Sequence, residues 1–425
     1  MKYSTPKGTF DILPEAVKPD RKWRLIHRYA YLEEVLRKTS LDYGFQEIRT
    51  PIFERTELFT RSAGEASDLV SKEMYTFEDK AKRLMSLRPE GTAPVIRALV
   101  ENQMSGNRKY FYIGPYFRYD RPQAGRFRQF HQYGVEAVGN ASPEQDVEVI
   151  DLIMEIYRRL GIKELKLLIN SIGDKACRES YVKALKEFLQ PHFAELSEES
   201  QARFEQNPLR ILDTKNEREQ QLLKSAPSIL DFLSEESKAH FEKVLGWLDR
   251  LGISYEVTPS LVRGLDYYTQ TVFEVTSNVL GAQNSIGAGG RYDGLMHELG
   301  GKDLPGMGFA TGIERILHTM DGQGLSFPKP PHSTCFLIPM TNQAQEKLFP
   351  LLFALRRAGI AAEMSPVSKK VGKAVGEASD RGAHFALIMG EEELQKNVVQ
   401  VKDLQSRAAQ EVAIDDVMKT IKEKL

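Results

Sequence analysis

Between Arg108 and His131 the chain gathers six Lys and Arg residues around a single acid, Asp120. Guanidinium forks match the paired oxygens of phosphate, so a cluster containing Arg118, Arg121, Arg126 and Arg128 suits a polyphosphate ligand. Taken singly, an arginine in a polar loop is usually just solvated. The signal lies in the cluster. Just beyond it, Phe130, Gln132, Gly134, Glu136 and Val138 alternate onto one face of a strand. Gln132 and Glu136 therefore point the same way across an expected gap above Gly134, where a small polar ligand could be gripped.

Other chemistries are excluded. The only cysteines, Cys177 and Cys335, are far apart and lack the Cys/His spacing of metal sites, so neither a disulfide framework nor a structural zinc is expected. No phosphate-binding GxxxxGK[ST] loop occurs: the pairs at Gly301 and Gly372 run on to Asp303 and Ala374. Two runs approach GxGxxG, but Tyr292 and Thr311 stand where the third glycine belongs, which argues against a Rossmann fold. With 58 basic against 59 acidic residues, no global field draws in nucleic acid or membrane. Neither a secretory signal nor a membrane-spanning run is read in the sequence, which points to the cytoplasm.

The elements that must position these residues are legible in outline. Leu25, Tyr29, Leu32 and Leu36 lay one stripe along a helix from Arg24 to Leu41, and a strand from Phe45 should end at Pro51. Arg108 to Arg118 and Gln129 to Val138 form the two arms of a long-looped antiparallel hairpin. Ser142-Pro143-Glu144-Gln145 predicts a helix start with a capping box, and the helix runs to about Gly161. From about Gly173 to Leu251 the composition shifts to Glu, Lys, Gln and Ser at helical spacing. This reads as a helical insertion between short strands at Leu165 to Ile169 and Ser254 to Val257.

A proline-rich joint, Ser326 to His332, separates residues 1–325 from a module at 331–425. In that module the strand candidates are Cys335 to Pro339, Ile360 to Met364, His384 to Met389 and Asn397 to Val401. Helices are expected at Gln343 to Ala358, Lys369 to Arg381 and Asp415 to Lys424. Its 13 Lys and Arg against 12 Asp and Glu neither favour nor exclude RNA.

Longer stretches resemble a known family. Tyr112-Ile113-Gly114-Pro115-Tyr116-Phe117-Arg118-Tyr119-Asp120-Arg121-Pro122, running on to Arg128-Gln129-Phe130-His131-Gln132, resembles motif 2 of class II aminoacyl-tRNA synthetases. Gly306 to Arg315 looks like motif 3, and the helix and strand ending at Pro51 look like motif 1. Arg263-Gly264-Leu265-Asp266-Tyr267-Tyr268-Thr269 and Gly289-Gly290-Arg291-Tyr292-Asp293-Gly294-Leu295 resemble the two segments peculiar to histidyl-tRNA synthetases. Arg88-Pro89-Glu90-Gly91-Thr92 is also typical of them.

The resemblance implies an α+β fold: a class II antiparallel sheet flanked by helices, the helical insertion, and a C-terminal α/β anticodon-binding domain. It implies ligation of L-histidine to tRNA(His) through histidyl-adenylate, with ATP and Mg2+, in a homodimer. Arg118 and Arg263 are then the catalytic residues at the α-phosphate, with Arg315 at the γ-phosphate and Asp120 at adenine. Asp120 departs from the class pattern, which has glutamate there, one methylene longer. Glu90, Thr92 and Gln132 would hold the α-amino group of histidine. Glu136, Tyr267, Tyr268 and Tyr292 would surround the rest of it, Glu136 and Tyr268 at the imidazole. Gln123 and Arg128 would meet the acceptor end of the tRNA. The other reading is a non-catalytic paralogue that regulates ATP phosphoribosyltransferase. Such relatives typically lack the C-terminal module and disrupt the catalytic arginines, all three of which are present here.

Overall fold

The computed structural model describes residues 3–15, 18–64, 67–121, 125–281, 284–328, 333–367 and 370–425. Its strands are β1 (Gln46–Glu47), β2 (Phe53–Arg55), β3 (Thr76–Glu78), β4 (Leu84–Leu87), β5 (Arg108–Phe117) and β6 (Gln129–Val138). Then come β7 (Leu165–Ser171), β8 (Glu256–Val257), β9 (Thr269–Ser277), β10 (Ser285–Arg291) and β11 (Gly306–Gly312). The last five are β12 (Cys335–Pro339), β13 (Ala362–Met364), β14 (Phe385–Met389), β15 (Val398–Asp403) and β16 (Ala409–Ala413).

Eight strands build the principal sheet in the order β1-β5-β6-β11-β10-β9-β7-β8. Every pair from β5 to β7 is antiparallel, and only the two-residue strands β1 and β8 join in parallel at the edges. The β5–β6 hairpin keeps one register from Arg108 opposite Val138 to Phe117 opposite Gln129. Its aromatic density explains that length, because Phe111, Tyr133 and Val135 bury into the core beneath the sheet. The Ile26–Asp42, Pro143–Arg159 and Glu235–Leu251 helices supply much of the rest of that core, with Leu32, Leu36, Ile150, Ile153, Val244 and Leu248 buried.

Two local expectations are corrected. The strand expected from Phe45 to Pro51 pairs only at Gln46 and Glu47, since the carbonyls of Thr50 and Pro51 turn aside to accept from the Arg88 guanidinium at 2.9 and 3.5 Å. At the helix beginning with Pro143, Ser142 makes no side-chain cap. The main-chain N–H of Ser142 that a capping box would engage is already donated to Asn140 Oδ1 at 2.9 Å, and the Gln145 amide donates to Glu148 instead.

Between β7 and β8 lie the helices Lys175–Leu189, Glu198–Gln206, Glu217–Leu223 and Glu235–Leu251 with short 3-10 turns. Tyr181, Leu185, Phe204 and Ile211 form a separate core there, which also takes in Val262 and Val272. The chain divides into two compact units, Met1–Pro328 and Lys329–Leu425. Within the second, the sheet order is β13-β12-β14-β15-β16, parallel for the first three strands and antiparallel for the last two. Two of its elements were not anticipated, β16 and the Glu391–Lys396 helix. Both are short and lack an apolar period, β16 being almost wholly exposed.

One buried ion pair ties the principal sheet to its helices. Arg291 at the end of β10 and Asp146 are both almost inaccessible and hydrogen-bonded to each other, and His240 Nε2 lies 2.8 Å from the second Asp146 oxygen. Removing one member strands a buried charge, so Asp146→Ala is expected to cost about 3–5 kcal/mol of unfolding free energy. Chemical denaturation measures this, and a loss under about 1 kcal/mol, the range of exposed pairs, would contradict it.

Candidate active site

A cavity of about 410 Å³ opens between the β5–β6 hairpin, the strands β9 to β11 and the helix Ile313–Gly322. Glu90, Thr92, Arg118, Asp120, Gln132, Arg263, Tyr267, Tyr268, Tyr292 and Arg315 all line it. Segments as distant in sequence as Glu90 and Arg315 thus meet around one space because β6, β11, β10 and β9 are consecutive strands of one sheet.

The phosphate-like end is built from cations. Arg118 leaves the end of β5, donates Nε to the carbonyl of Pro89 at 2.9 Å, and has Phe130 beneath its guanidinium. Arg263 donates to Glu274 Oε2 at 2.7 Å, while its buried Nε has no hydrogen-bond partner among the described residues. Arg315, in the first turn of its helix, donates to the carbonyl of Ser285 at 2.5 Å. Burial lowers the Arg315 pKa, and the neighbouring charges of Arg126 and Arg118 lower it further. Cations crowded this way favour an anionic occupant. Asp120 faces the cavity but accepts from Arg126 at 2.7 Å in this conformation.

Beside these cations stand buried acids and hydroxyls, Glu90 near Arg118 and Tyr268 near Arg263. Glu90 caps the Thr92–Glu101 helix, accepting from the main-chain N–H groups of Thr92 and Ala93 at 2.6 and 3.0 Å. Glu136 does not line the cavity. It lies one layer behind, where its carboxylate accepts from the hydroxyls of Thr92, Tyr112 and Tyr292 at 2.7, 3.1 and 2.6 Å. Burial raises its pKa to about 8. The hydrogen bonds from Tyr292 and Thr92 oppose that rise, and the Glu90 charge adds to it.

The gap expected above Gly134 is not open. The Tyr112 ring fills it, and a Cβ added at Gly134 would stand 2.4 Å from that ring; at Gly91, on the ring's other side, the distance is 2.3 Å. Gly308 plays a matching part, because a Cβ there would fall 2.2 Å from Glu136 Oε2. Arg128 is also absent from the cavity wall: its guanidinium stacks over the Tyr119 ring at 3.9 Å, and its main-chain N–H donates to the Gly8 carbonyl. Gln123 lies outside the described residues.

Sequence reasoning missed Tyr112, Glu274 and Glu314. Glu314 is buried at the cavity edge and accepts from the main-chain N–H of His131 at 3.0 Å, with the His131 ring 2.8 Å away. A buried acid next to Arg315 in the first turn of a helix was the signal available for it.

A family model described as histidyl-tRNA synthetase matches residues 17–316, and one described as an anticodon-binding domain matches 334–424. The chain belongs to the histidyl-tRNA synthetase family. A histidine–tRNA ligase of Protochlamydia amoebophila is 54% identical over 99% of this chain and 100% of its own length. One from Bacillus subtilis is 46% identical over 99% of both chains. The apo structure of Staphylococcus aureus histidyl-tRNA synthetase superposes with a TM-score of 0.83 at 38% identity, covering 99% of this chain and 100% of that one. The α+β class II architecture, with an antiparallel-rich sheet flanked by helices, accords with that superposition.

The buried acid of this histidyl-tRNA synthetase chain has a consequence for stability. Glu136 is held protonated in the folded, ligand-free protein up to about pH 8, whereas the unfolded chain gives up that proton near its ordinary value of 4.5. A raised carboxyl pKa contributes stability that is fully present below the unfolded value and is lost as pH climbs through the folded one. The Tm is therefore predicted to fall between about pH 5 and about pH 8, and to fall less steeply in Glu136→Gln. Thermal scans across that range check it; identical slopes for the two proteins would remove the assignment.

Proposed function

We propose that this protein ligates L-histidine to tRNA(His) in two steps. A histidine carboxylate oxygen attacks the α-phosphorus of ATP, the bond to pyrophosphate breaks, and histidyl-adenylate forms. The terminal ribose hydroxyl of the tRNA then attacks the acyl carbon and AMP leaves. The observation that carries this reading is the meeting of Arg118, Arg263 and Arg315 on one cavity that Glu90, Thr92, Gln132 and Tyr268 also line. Chemistry of this kind needs positioning and charge neutralisation more than a protein nucleophile.

Arg118 and Arg263 bind the α-phosphate and oppose the charge that builds on it. The partnerless Nε of Arg263 supports that role. Arg315 takes the γ-phosphate, and Asp120 meets the adenine end once freed from Arg126. No group of three His, Cys, Asp or Glu able to hold a metal is found among the described residues. Glu73, Asp120 and Glu274 line the cavity and are the carboxylates that would be available to Mg2+ there. Bound there, Mg2+ neutralises phosphate charge.

Glu90, Thr92 and Gln132 receive the α-ammonium of histidine, and Tyr267 walls the pocket. The neutral imidazole has one donor and one acceptor nitrogen, matched by Glu136 and the Tyr268 hydroxyl. Thr92 and Tyr292 stand on the cavity wall with their hydroxyls on Glu136, so a ring N–H that displaces one of them meets its carboxylate. An amino acid that displaces one of those hydroxyls without bringing an N–H in its place leaves the acid short of a donor, a penalty able to discriminate by about 10⁴. Residues 1–325 form the catalytic domain interrupted by the insertion at 173–251, and 331–425 form the anticodon-binding domain. Gln123 and Arg128 serve the acceptor end. The working form is a cytoplasmic homodimer, a location consistent with the absence, among the described residues, of any helix long and apolar enough to cross a membrane.

In ATP–pyrophosphate exchange with all twenty amino acids, histidine alone is expected to support the reaction; exchange with none of them would refute the proposal. Arg263→Ala should lower the histidine-dependent rate by about 10²–10³ while leaving the circular dichroism spectrum unchanged. Normal exchange would remove Arg263 from the chemistry. Glu136→Gln should raise the KM for histidine far more than that for ATP, and equal changes in the two would remove its role at the ring.

A further inference from the structure

The segment carrying Arg263, Leu265, Tyr267 and Tyr268 to the cavity is a loop between β8 and β9, with no regular secondary structure from Ser260 to Tyr268. Something outside the ladder must fix it. The residue at its centre, Asp266, is not on the cavity wall, and its contacts lead to the helices between β7 and β8.

Three kinds of contact make the connection. Asn207 donates Nδ2 to Asp266 Oδ1 at 2.7 Å. Arg178 donates to the main-chain carbonyl of Asp266 at 2.8 Å and sits 3.5 Å from its carboxylate. On the far side the bare Cα of Gly64 leaves room for the acid, since a Cβ there would lie 2.2 Å from Asp266 Oδ2. Arg210, from the same helical region as Asn207, reaches Asp68 at 3.1 Å while packing against Gly264, where an added Cβ would meet its guanidinium at 2.9 Å. Val262 is buried in the core of those helices, and Tyr268 packs against it. The loop is thus held on its outer side by the insertion and presents its inner side to the substrates.

We propose that Asn207 and Arg178 are positioning residues for adenylate formation: through Asp266 they hold Arg263 and the tyrosine pair in reactive placement without touching substrate. This rests on the reading of the cavity as the adenylation site and adds to it a role for the insertion in the first step, before any tRNA is bound. The chemistry follows from geometry. Arg263 must meet charge that develops on the α-phosphate, and a displacement of about 1 Å at such a group can cost 100-fold in rate. Ground-state binding of ATP, which meets Arg118 and Arg315, is made by other elements and should hardly change, whereas histidine also meets the tyrosine pair of this loop and should bind more weakly.

The test measures adenylate formation in a single turnover, normalised to active sites counted by the adenylate burst, for the full-length enzyme with histidine and ATP. Asn207→Ala and Arg178→Ala are expected to lower the rate per active site by about tenfold to 100-fold with little change in the KM for ATP and a rise in that for histidine. Asn207→Asp, which sets a second carboxylate against Asp266, should do at least as much damage, and Arg178→Lys should recover part of the rate. Combining Asn207→Ala with Asp266→Ala should cost no more than Asp266→Ala alone, because both break one contact. A lower Tm or smaller burst with an unchanged rate per site would overturn the proposal, as would additive losses in the double variant. The wild type is the control: if it forms no adenylate, the functional reading itself fails, whereas normal rates in wild type and Asn207→Ala alike remove only this inference.

Discussion

Four guanidinium groups, those of Arg118, Arg126, Arg263 and Arg315, face one cavity, with the acids Glu73, Asp120, Glu274 and Glu314 set among them. Glu274 answers Arg263 and Asp120 answers Arg126, while Arg118 is held by a main-chain carbonyl. Folding has pressed like charges together, as the lowered pKa of Arg315 records. Bringing like charges this close is costly, and a bound polyanion would relieve it. Much of the rest of the catalytic unit can be read as the means of holding those groups against their repulsion.

The sheet does most of the holding. Because β6, β11, β10 and β9 are neighbours, glycines at 134 and 308 can open space that side chains from adjoining strands occupy, Tyr112 over one and Glu136 over the other. On the proposed function, selectivity for a ring with two nitrogens would depend on a layer behind the visible wall: a buried acid, three hydroxyls bonded to it, and bare backbone where any side chain would collide. Crowded cations with buried acids of raised pKa beside them would suit, on the proposed function, a substrate pair that carries both phosphate and an ammonium group.

The hairpin, the long helices and the joint before the second unit were legible in the sequence because each has a sustained apolar period or a proline-rich break. The arginine cluster was legible for a similar reason: its members are close in the chain and carry one sign. Packing that depends on a single distant partner was not. Nothing local shows that Arg88 will draw the carbonyls of Thr50 and Pro51 out of a ladder, or that Asn140 will take the N–H a capping box requires. The alternation that put Glu136 and Gln132 on one face was right about direction. It could not reveal that Tyr112, on the neighbouring strand, would fill the space between Gly91 and Gly134. Arg128 shows the same limit, since its stacking on Tyr119 is a choice between two nearby side chains that spacing does not decide. Likeness in motif order supplied the roles; residue types and spacing supplied only the kind of ligand.

The most direct test of the central claim is a crystal structure with histidine and a non-hydrolysable ATP analogue. The account predicts that the α-phosphate lies within hydrogen-bonding distance of both Arg118 and Arg263, with the γ-phosphate at Arg315 and the imidazole on the Glu136 side. A triphosphate bound elsewhere, or those guanidinium groups turned away from it toward solvent, would contradict the account.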